Sequence, residues 1–131
     1  MEKIKKFDDK CIIVRIPISI QHRSNLYEAT RRCWRVNLER ARKAEYVLGT
    51  IDGEVLCVIK ICNCDYVKTE FCNKEREKCR RDFNANIELC ERNKRIAFEG
   101  KEIKNDKKYL RKILPDEYIP GQMPIRYTYK F

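Results

Sequence analysis

The sequence YEATRRCWRVNLERARKAEYVLGTIDGEVLCVIKI, residues 27–61, carries the strongest fold signals in this chain. Its second half contains two runs rich in β-branched residues, 46–51 and 54–61, which are separated by Asp52-Gly53. Two such runs joined by Asp-Gly predict a β-hairpin with a primed turn, in which both turn residues take positive φ. Both faces of the second run are mostly apolar, so we expect the hairpin to lie centrally in a sheet.

The first half of this stretch predicts two short helices. A helix over about residues 25–35 follows from a capping Ser24 or Asn25, a glutamate at the capping-box position and the absence of Gly and Pro. Its apolar residues recur at steps of three and four and form one stripe, namely Leu26, Ala29, Thr30, Cys33 and Trp34. Asn37 is placed to cap a second helix over 38–44, with Leu38, Ala41 and Ala44 inward. Its outward residues are then Glu39, Arg40, Arg42 and Lys43.

Three further strands are predicted outside this stretch. Residues 11–18 are almost continuously apolar up to Pro17, which indicates a strand buried on both faces. Residues 95–100 predict a short strand that ends at Gly100, and the alternation over 125–131 predicts a closing strand.

Two less regular regions complete the pattern. Asp106 is placed to cap a helix over 107–113 that Pro115 stops. Residues 62–94 change in character, and we expect an irregular excursion with one amphipathic helix over part of 73–91.

The element order predicts one α+β domain over residues 1–131. We expect a small, mainly antiparallel curled sheet or partly open barrel, with two to four helices on one side. Small barrels with few strands and early helices offer the nearest analogy, so a PUA- or EVE-like architecture is preferred.

The charge balance indicates the chemistry of the partners. The formal net charge is +10, with 38% charged and 43% hydrophobic residues, which excludes a disordered chain and favours anionic partners such as nucleic acid or a nucleotide. Much of the lysine is also explained by the composition of AT-rich genomes, whereas the arginines around Trp34 are not. No secretory signal or apolar run of membrane-spanning length is visible, so we expect a cytoplasmic protein without a membrane partner.

The eight cysteines are expected to be reduced thiols, because the cytoplasm is a reducing compartment. Cys11, Cys33 and Cys57 lie in apolar patterns, where cysteine acts as a small hydrophobic residue. Cys62-x-Cys64 is followed only by wide gaps, which is poor zinc-ligand spacing. We therefore expect no metal and no cofactor, with a metal-stabilised interaction module as the alternative.

An anion-binding surface is predicted from residues 31–43, which contain six cations and one anion. Guanidinium groups suit bidentate phosphate contacts, and neighbouring aromatic rings can stack on a base. The candidate phosphate ligands are Arg31, Arg35, Arg40, Lys43, Arg95 and Arg126, and the candidate stacking residues are Trp34, Tyr27 and Tyr46. A structural role is the alternative for each: Trp34 as a core anchor, and the arginines in ion pairs with Glu28 and Glu39.

Catalytic motifs are absent from the sequence. His22 is the only histidine and lies in a connecting segment, and no nucleophile elbow, phosphate-binding glycine loop or carboxylate cluster is present. No catalytic residue is assigned.

One combined pattern resembles a known domain. It comprises Tyr27-x3-Arg31-x2-Trp34-Arg35, Arg40-Ala41-x2-Ala44-x-Tyr46-Val47-Leu48, the Gly53 hairpin, Arg95-x2-Phe98-x-Gly100, Tyr109-Leu110-x-Lys112-x2-Pro115-x2-Tyr118 and Pro124-Ile125-Arg126-Tyr127. The pattern resembles a small domain of uncertain function in bacterial and phage proteins, some of them associated with nuclease or restriction modules. The resemblance implies a nucleic-acid setting and no catalytic residue.

Residues and resemblance together predict a non-catalytic basic module that binds nucleic acid, with a modified base or an end as the recognised feature. One alternative is a stand-alone phage- or defence-related protein that sequesters a small nucleotide or covers a partner protein. A nuclease-associated enzyme is the other.

Overall fold

The predicted hairpin is the centre of the fold in the computed structural model of this protein. The structure describes residues 2–16, 26–34, 36–66, 95–118 and 125–130. Strands β3 (Tyr46–Ile51) and β4 (Glu54–Tyr66) pair antiparallel. Asp52 and Gly53 connect them with φ angles of 50° and 82°. Positive φ at both positions is what a primed turn requires, so the hairpin prediction is confirmed.

Six described strands form one sheet in the order β2-β5-β4-β3-β1-β6. The four additional strands are β1 (Cys11–Arg15), β2 (Arg32–Trp34), β5 (Ile96–Glu102) and β6 (Ile125–Tyr127). β1 pairs parallel with β3, and the other neighbouring pairs are antiparallel. The prediction of a small α+β fold with a mainly antiparallel sheet is confirmed, with the hairpin in the middle. The sheet ends at β2 and β6 and is not closed.

Both faces of this sheet are buried. The first face, here called the helix face, carries a buried cluster of Ile12, Val14, Ala41, Ala44, Val47, Cys57, Ile59, Cys64, Ile96 and Phe98. The second face, here called the coil face, carries Ile4, Cys11, Ile13, Leu48, Val55, Val58, Tyr109 and Leu114. Alternate residues of β1 belong to opposite clusters, which confirms the two-sided burial predicted from its continuous apolar run.

A β-bulge changes which side chains of β4 share a face. Gly49 pairs with Cys57 but Thr50 pairs with Val55, so Leu56 is an extra residue in the ladder. Val55 consequently lies on the coil face with Val58, whereas Cys57 lies on the helix face. Simple alternation would place Val55 and Cys57 on the same face of the sheet, and the bulge separates them.

The two described α-helices both cover the helix face, as predicted. Helix α1 is Leu26–Arg31 and helix α2 is Leu38–Ala41. The predicted helix over 25–35 is too long, because residues 32–34 form β2 and pair with β5. The hydrogen bonds that β5 offers along its edge outweigh the helical preference of this segment.

Helix α2 begins where the sequence predicts. The Asn37 side chain accepts a hydrogen bond from the Arg40 backbone N–H at 3.0 Å. Ala41 and Ala44 are buried and Leu38 packs against the same cluster, in agreement with the predicted inward face. Arg40 departs from the prediction, because its side chain lies against tyrosines instead of pointing outward.

The predicted helix over 107–113 is wrong. The Asp106 carboxylate accepts hydrogen bonds from the backbone of Tyr109 and Leu110 at 2.7 and 3.0 Å, so it caps a turn and not a helix. Arg111 has a φ of 65°, which ends any right-handed helix. Its N–H donates to the Val55 carbonyl at 2.8 Å, so this segment attaches to β4 instead.

Several boundaries also differ from the prediction. β5 continues through Gly100 to Glu102, and β4 runs through residues 62–66, which the sequence placed in the excursion. A 3-10 turn at Asp116–Tyr118 follows the coil-face segment. Cys72, Cys79, Cys90, His22, Pro17 and the predicted helix over 73–91 lie outside the described residues. Neither described α-helix has the length and apolar run that crossing a bilayer requires.

Candidate functional site

Two of the predicted phosphate ligands, Arg40 and Arg126, line one cleft. Arg40 comes from α2 on the helix face, and Arg126 comes from β6 at the sheet edge. The cleft has a volume of about 310 Å³ and is lined by Arg40, Glu117, Tyr118, Ile125, Arg126 and Tyr127. We call this cavity the arginine cleft.

Arg40 is held in place by the C-terminal tyrosines. Its guanidinium carbon lies 3.6 Å from the centroid of the Tyr127 ring and 5.9 Å from that of Tyr129. Its Nη2 donates to the Tyr129 carbonyl at 3.1 Å, and the Tyr129 hydroxyl donates back to the Arg40 carbonyl at 2.6 Å. Stacking on an aromatic face stabilises a guanidinium without neutralising its charge.

The Arg40 side chain retains hydrogen-bonding capacity. Its Nε is buried and has no hydrogen-bond partner among the described residues. A guanidinium stays protonated in proteins and carries five N–H donors. The arginine cleft therefore has a fixed positive charge in its wall, while the Arg40 Nε itself lies buried behind that wall.

The tyrosines of the cleft are neutral hydroxyl groups at physiological pH. Burial raises the pKa of Tyr127, although the Arg40 guanidinium opposes that shift. Burial, followed by the charge of Glu117, raises the pKa of Tyr118. Both phenols are thus hydrogen-bond donors, and Glu117 is the one acidic residue among the described residues that line the cleft.

Arg31 occupies a different position, inside the fold. It is 9% exposed, and its Nε donates to the Phe98 carbonyl of β5 at 3.0 Å. Its guanidinium carbon lies 5.3 Å from the centroid of the Tyr27 ring. These contacts attach the end of α1 to the sheet, so we leave Arg31 out of the proposed site.

Lys43 and Arg95 are not among the residues that line the arginine cleft. Lys43 is exposed after α2, Arg95 is half-buried before β5, and Arg35 lies outside the described residues.

The three predicted stacking residues are not brought together. The Trp34 indole N–H donates to the Thr30 carbonyl at 2.7 Å, and the Tyr27 hydroxyl donates to the Gly100 carbonyl at 2.9 Å. Both side chains pack against the helix-face cluster. Tyr46 packs on the coil face, where its ring centroid is 6.4 Å from that of Tyr109. Trp34 and Tyr46 thus lie on opposite sides of the sheet.

Sequence reasoning missed Tyr127, Tyr118 and Glu117 as lining residues. Tyr127 had a visible signal, since it follows Arg126 in the alternating tail. Tyr118 and Glu117 belong to the 3-10 turn, which meets β6 only through tertiary packing. No local pattern marks such a contact.

The described cysteines show no feature of a metal or nucleophile site. Cys11, Cys57 and Cys64 are buried free thiols, and Cys62 is an exposed one. Burial raises the pKa of both Cys11 and Cys57 to about 12, which makes them inert thiols in the core. Within the described ranges, no group of three or more His, Cys, Asp or Glu residues is placed to hold a metal ion.

Comparison of the chain with protein-family models, with curated proteins and with solved structures yields no match.

Proposed function

We propose that this protein is a non-catalytic module that binds nucleic acid through the arginine cleft. The observation that carries the proposal is the meeting of Arg40, Arg126 and Tyr127 in one cavity of about 310 Å³. Guanidinium groups match phosphate oxygens in charge and geometry, and a tyrosine beside them offers a surface for a base. The net charge of +10 attracts a polyanion to this surface.

Each lining residue has a role in this proposal. Arg126 contacts a phosphate from the sheet edge, and Arg40 supplies a second guanidinium that the tyrosines hold in place. Tyr127 and Tyr118 border the base, and Glu117 accepts a hydrogen bond from an exocyclic amino group. The cleft has the size of a small-molecule site and not of a duplex groove, which favours an unpaired, modified or terminal nucleotide.

The wider setting of the protein belongs to the same proposal. The resemblance to a bacterial and phage domain associated with nuclease modules favours a nucleic-acid ligand in the cytoplasm. The PUA- or EVE-like comparison adds an analogy, since those domains also combine a small curled sheet with early helices. A small nucleotide captured in the same cleft is the second candidate, and the cavity volume favours it.

Fluorescence anisotropy with labelled single-stranded DNA, single-stranded RNA and duplexes tests the proposal. We expect single strands to bind and their affinity to fall steeply as salt increases, because bound phosphates release counterions. Arg126→Gln is expected to weaken binding about tenfold or more and to reduce the salt slope by about 0.7. The matched control is Arg111→Gln, which removes one positive charge from a side chain that is 70% exposed and outside the cleft.

The outcomes separate the candidates. Equal losses of affinity in the two variants would show that only net charge matters. If the protein bound none of the strands, the proposal of a nucleic-acid-binding module would be rejected. Saturation by one mononucleotide with a shallow salt dependence would support the second candidate.

Glu117→Gln distinguishes two ways of occupying the cleft. If Glu117 accepts from a base amino group, the variant weakens binding for amino-bearing bases only. If phosphate lies beside Glu117, removal of the negative charge strengthens binding for every base.

A further inference from the structure

A second, lysine-lined cavity lies on the coil face. It has a volume of about 450 Å³ and is formed by the segments 2–8 and 107–112. Its lining contains six lysines, Lys3, Lys5, Lys6, Lys107, Lys108 and Lys112. We call it the lysine cleft. It shares no lining residue with the arginine cleft.

The two segments that form the lysine cleft are fixed to each other by hydrogen bonds. The Ile4 N–H donates to the Ile113 carbonyl at 2.8 Å, and the Ile113 N–H donates to the Glu2 carbonyl at 2.9 Å. Below them Tyr109 is 1% exposed, and its hydroxyl donates to the Asp9 carboxylate at 2.8 Å. The walls of the cavity are therefore fixed by backbone hydrogen bonds and by a buried side chain.

Three of the six lysines are neutralised by local carboxylates. Lys3 pairs with Asp116 at 2.6 Å and Lys108 pairs with Asp9 at 3.3 Å. Lys112 pairs with Glu2 at 3.7 Å. These three ammonium groups already have carboxylate counter-charges within 4 Å.

The other three lysines, Lys5, Lys6 and Lys107, have no ion pair within 4 Å in the described part of the chain. Among the described residues of the lining, Asp8 is the only carboxylate that also has no ion pair within 4 Å. Three ammonium groups against one carboxylate leave an excess of two positive charges around the cavity. Like charges around one cavity repel, and a multiply charged anion between them relieves that repulsion.

We propose that the lysine cleft binds a chain of linked phosphates. An ammonium group is a compact point charge without the planar fork of arginine, so it recognises charge density more than orientation. Among the described residues of the lining, Tyr109 is the only aromatic one, and it is buried and offers no surface for base stacking. The ligand class is therefore an oligophosphate, whose source is either free polyphosphate or the sugar-phosphate backbone of a nucleic acid.

Isothermal titration calorimetry with tripolyphosphate, orthophosphate and an abasic oligonucleotide tests this site. We expect tripolyphosphate to bind at least tenfold more tightly than orthophosphate, because only the longer anion reaches several ammonium groups. The variant with Lys5→Gln, Lys6→Gln and Lys107→Gln is expected to lose at least tenfold in affinity. Its matched control carries Lys60→Gln, Lys101→Gln and Lys104→Gln, which remove the same charge from exposed positions elsewhere and leave affinity within about twofold.

Asp8→Asn provides a test in the opposite direction. The Asp8 backbone N–H bonds to the Tyr109 hydroxyl at 3.2 Å, whereas its carboxylate makes no ion pair, so the substitution leaves the scaffold intact. Removal of this negative charge is expected to tighten tripolyphosphate binding about threefold.

The results test both the site and the source of its oligophosphate ligand. Tripolyphosphate binding without abasic-strand binding supports free polyphosphate, and comparable binding of both supports the nucleic-acid backbone. Equal losses in the two triple variants, or no binding of either anion by the unaltered protein, would overturn the proposal. Loss of single-strand binding in Arg126→Gln tests the arginine cleft, whereas loss of tripolyphosphate binding in the Lys5, Lys6 and Lys107 triple variant tests the lysine cleft, so failure of one cleft and failure of the other give different patterns.

Discussion

Replacement of Arg31 by methionine is expected to destabilise the fold, because Arg31 attaches α1 to β5. Methionine keeps an apolar stem of similar length and removes the guanidinium, whose Nε donates to the Phe98 carbonyl at 3.0 Å. Hydrogen bonds from charged groups contribute about 1.5–3 kcal/mol, and this side chain is only 9% exposed. The free energy of unfolding should therefore fall by about 1.5–3 kcal/mol. For a domain of this size the melting temperature should fall by about 5–10 °C.

Urea unfolding followed by tryptophan fluorescence measures this loss, since Trp34 is the only tryptophan and packs on the same face. Arg42→Met is the matched control: the Arg42 side chain is 52% exposed, lies 3.8 Å from Asp65, and donates from its Nε to the Cys64 carbonyl only at the long distance of 3.4 Å. Exposed pairs contribute little, so the control should change stability by less than about 0.5 kcal/mol. An Arg31→Met protein that unfolds at the wild-type urea midpoint but binds nucleic acid poorly would refute the structural role and return Arg31 to the ligand site.

Two further perturbations test the strands and the buried thiols. Gly100→Ala should cost about 2 kcal/mol or more in urea unfolding, because the new Cβ would strike the Lys60 carbonyl of the paired strand; an unchanged midpoint would contradict this pairing. Burial raises the pKa of Cys57 and Cys11 to about 12 from 9.0, so the folded protein keeps thiol protons that the unfolded chain loses. Stability should fall as pH rises from about 9 to about 12, and Cys57→Ala should make that fall shallower; an identical slope would contradict the assignment.

The parts of the fold that sequence reasoning predicted correctly are those with local causes. Asp52-Gly53 determines a turn by its own backbone preferences, and the continuous apolar run of β1 reports burial on both faces. The prediction failed where a distant strand decides the conformation. Residues 32–34 have an acceptable helical pattern but pair with β5, more than 60 residues later in the chain. The conformation of segment 107–113 is likewise decided by a distant strand, because the Arg111 N–H donates to the Val55 carbonyl of β4.

The candidate site also has a part that the sequence predicted and a part that depends on tertiary contacts. Charge density pointed to Arg40, and the tail motif pointed to Arg126. Their common cavity depends on contacts such as that between Arg40 and Tyr129, which are 89 positions apart. Periodicity cannot reveal such a pair, and it also cannot show that Arg31 turns inward to a carbonyl group. Residue type identified candidate cations, and only tertiary packing separated those in a cleft from those in the core.

The brevity of the two outermost strands has a consequence for behaviour at high concentration. β2 and β6 each contain three residues, and beyond β2 the Phe98 and Gly100 carbonyls of β5 accept hydrogen bonds from Arg31 and Tyr27, so the described sheet offers an incoming chain little unpaired backbone. Long, flat edge strands are the usual templates for fibril growth. Short edge strands offer too few unpaired backbone groups for the hydrogen bonds that drive it. Self-association of this protein should therefore proceed through side chains rather than by extension of the sheet.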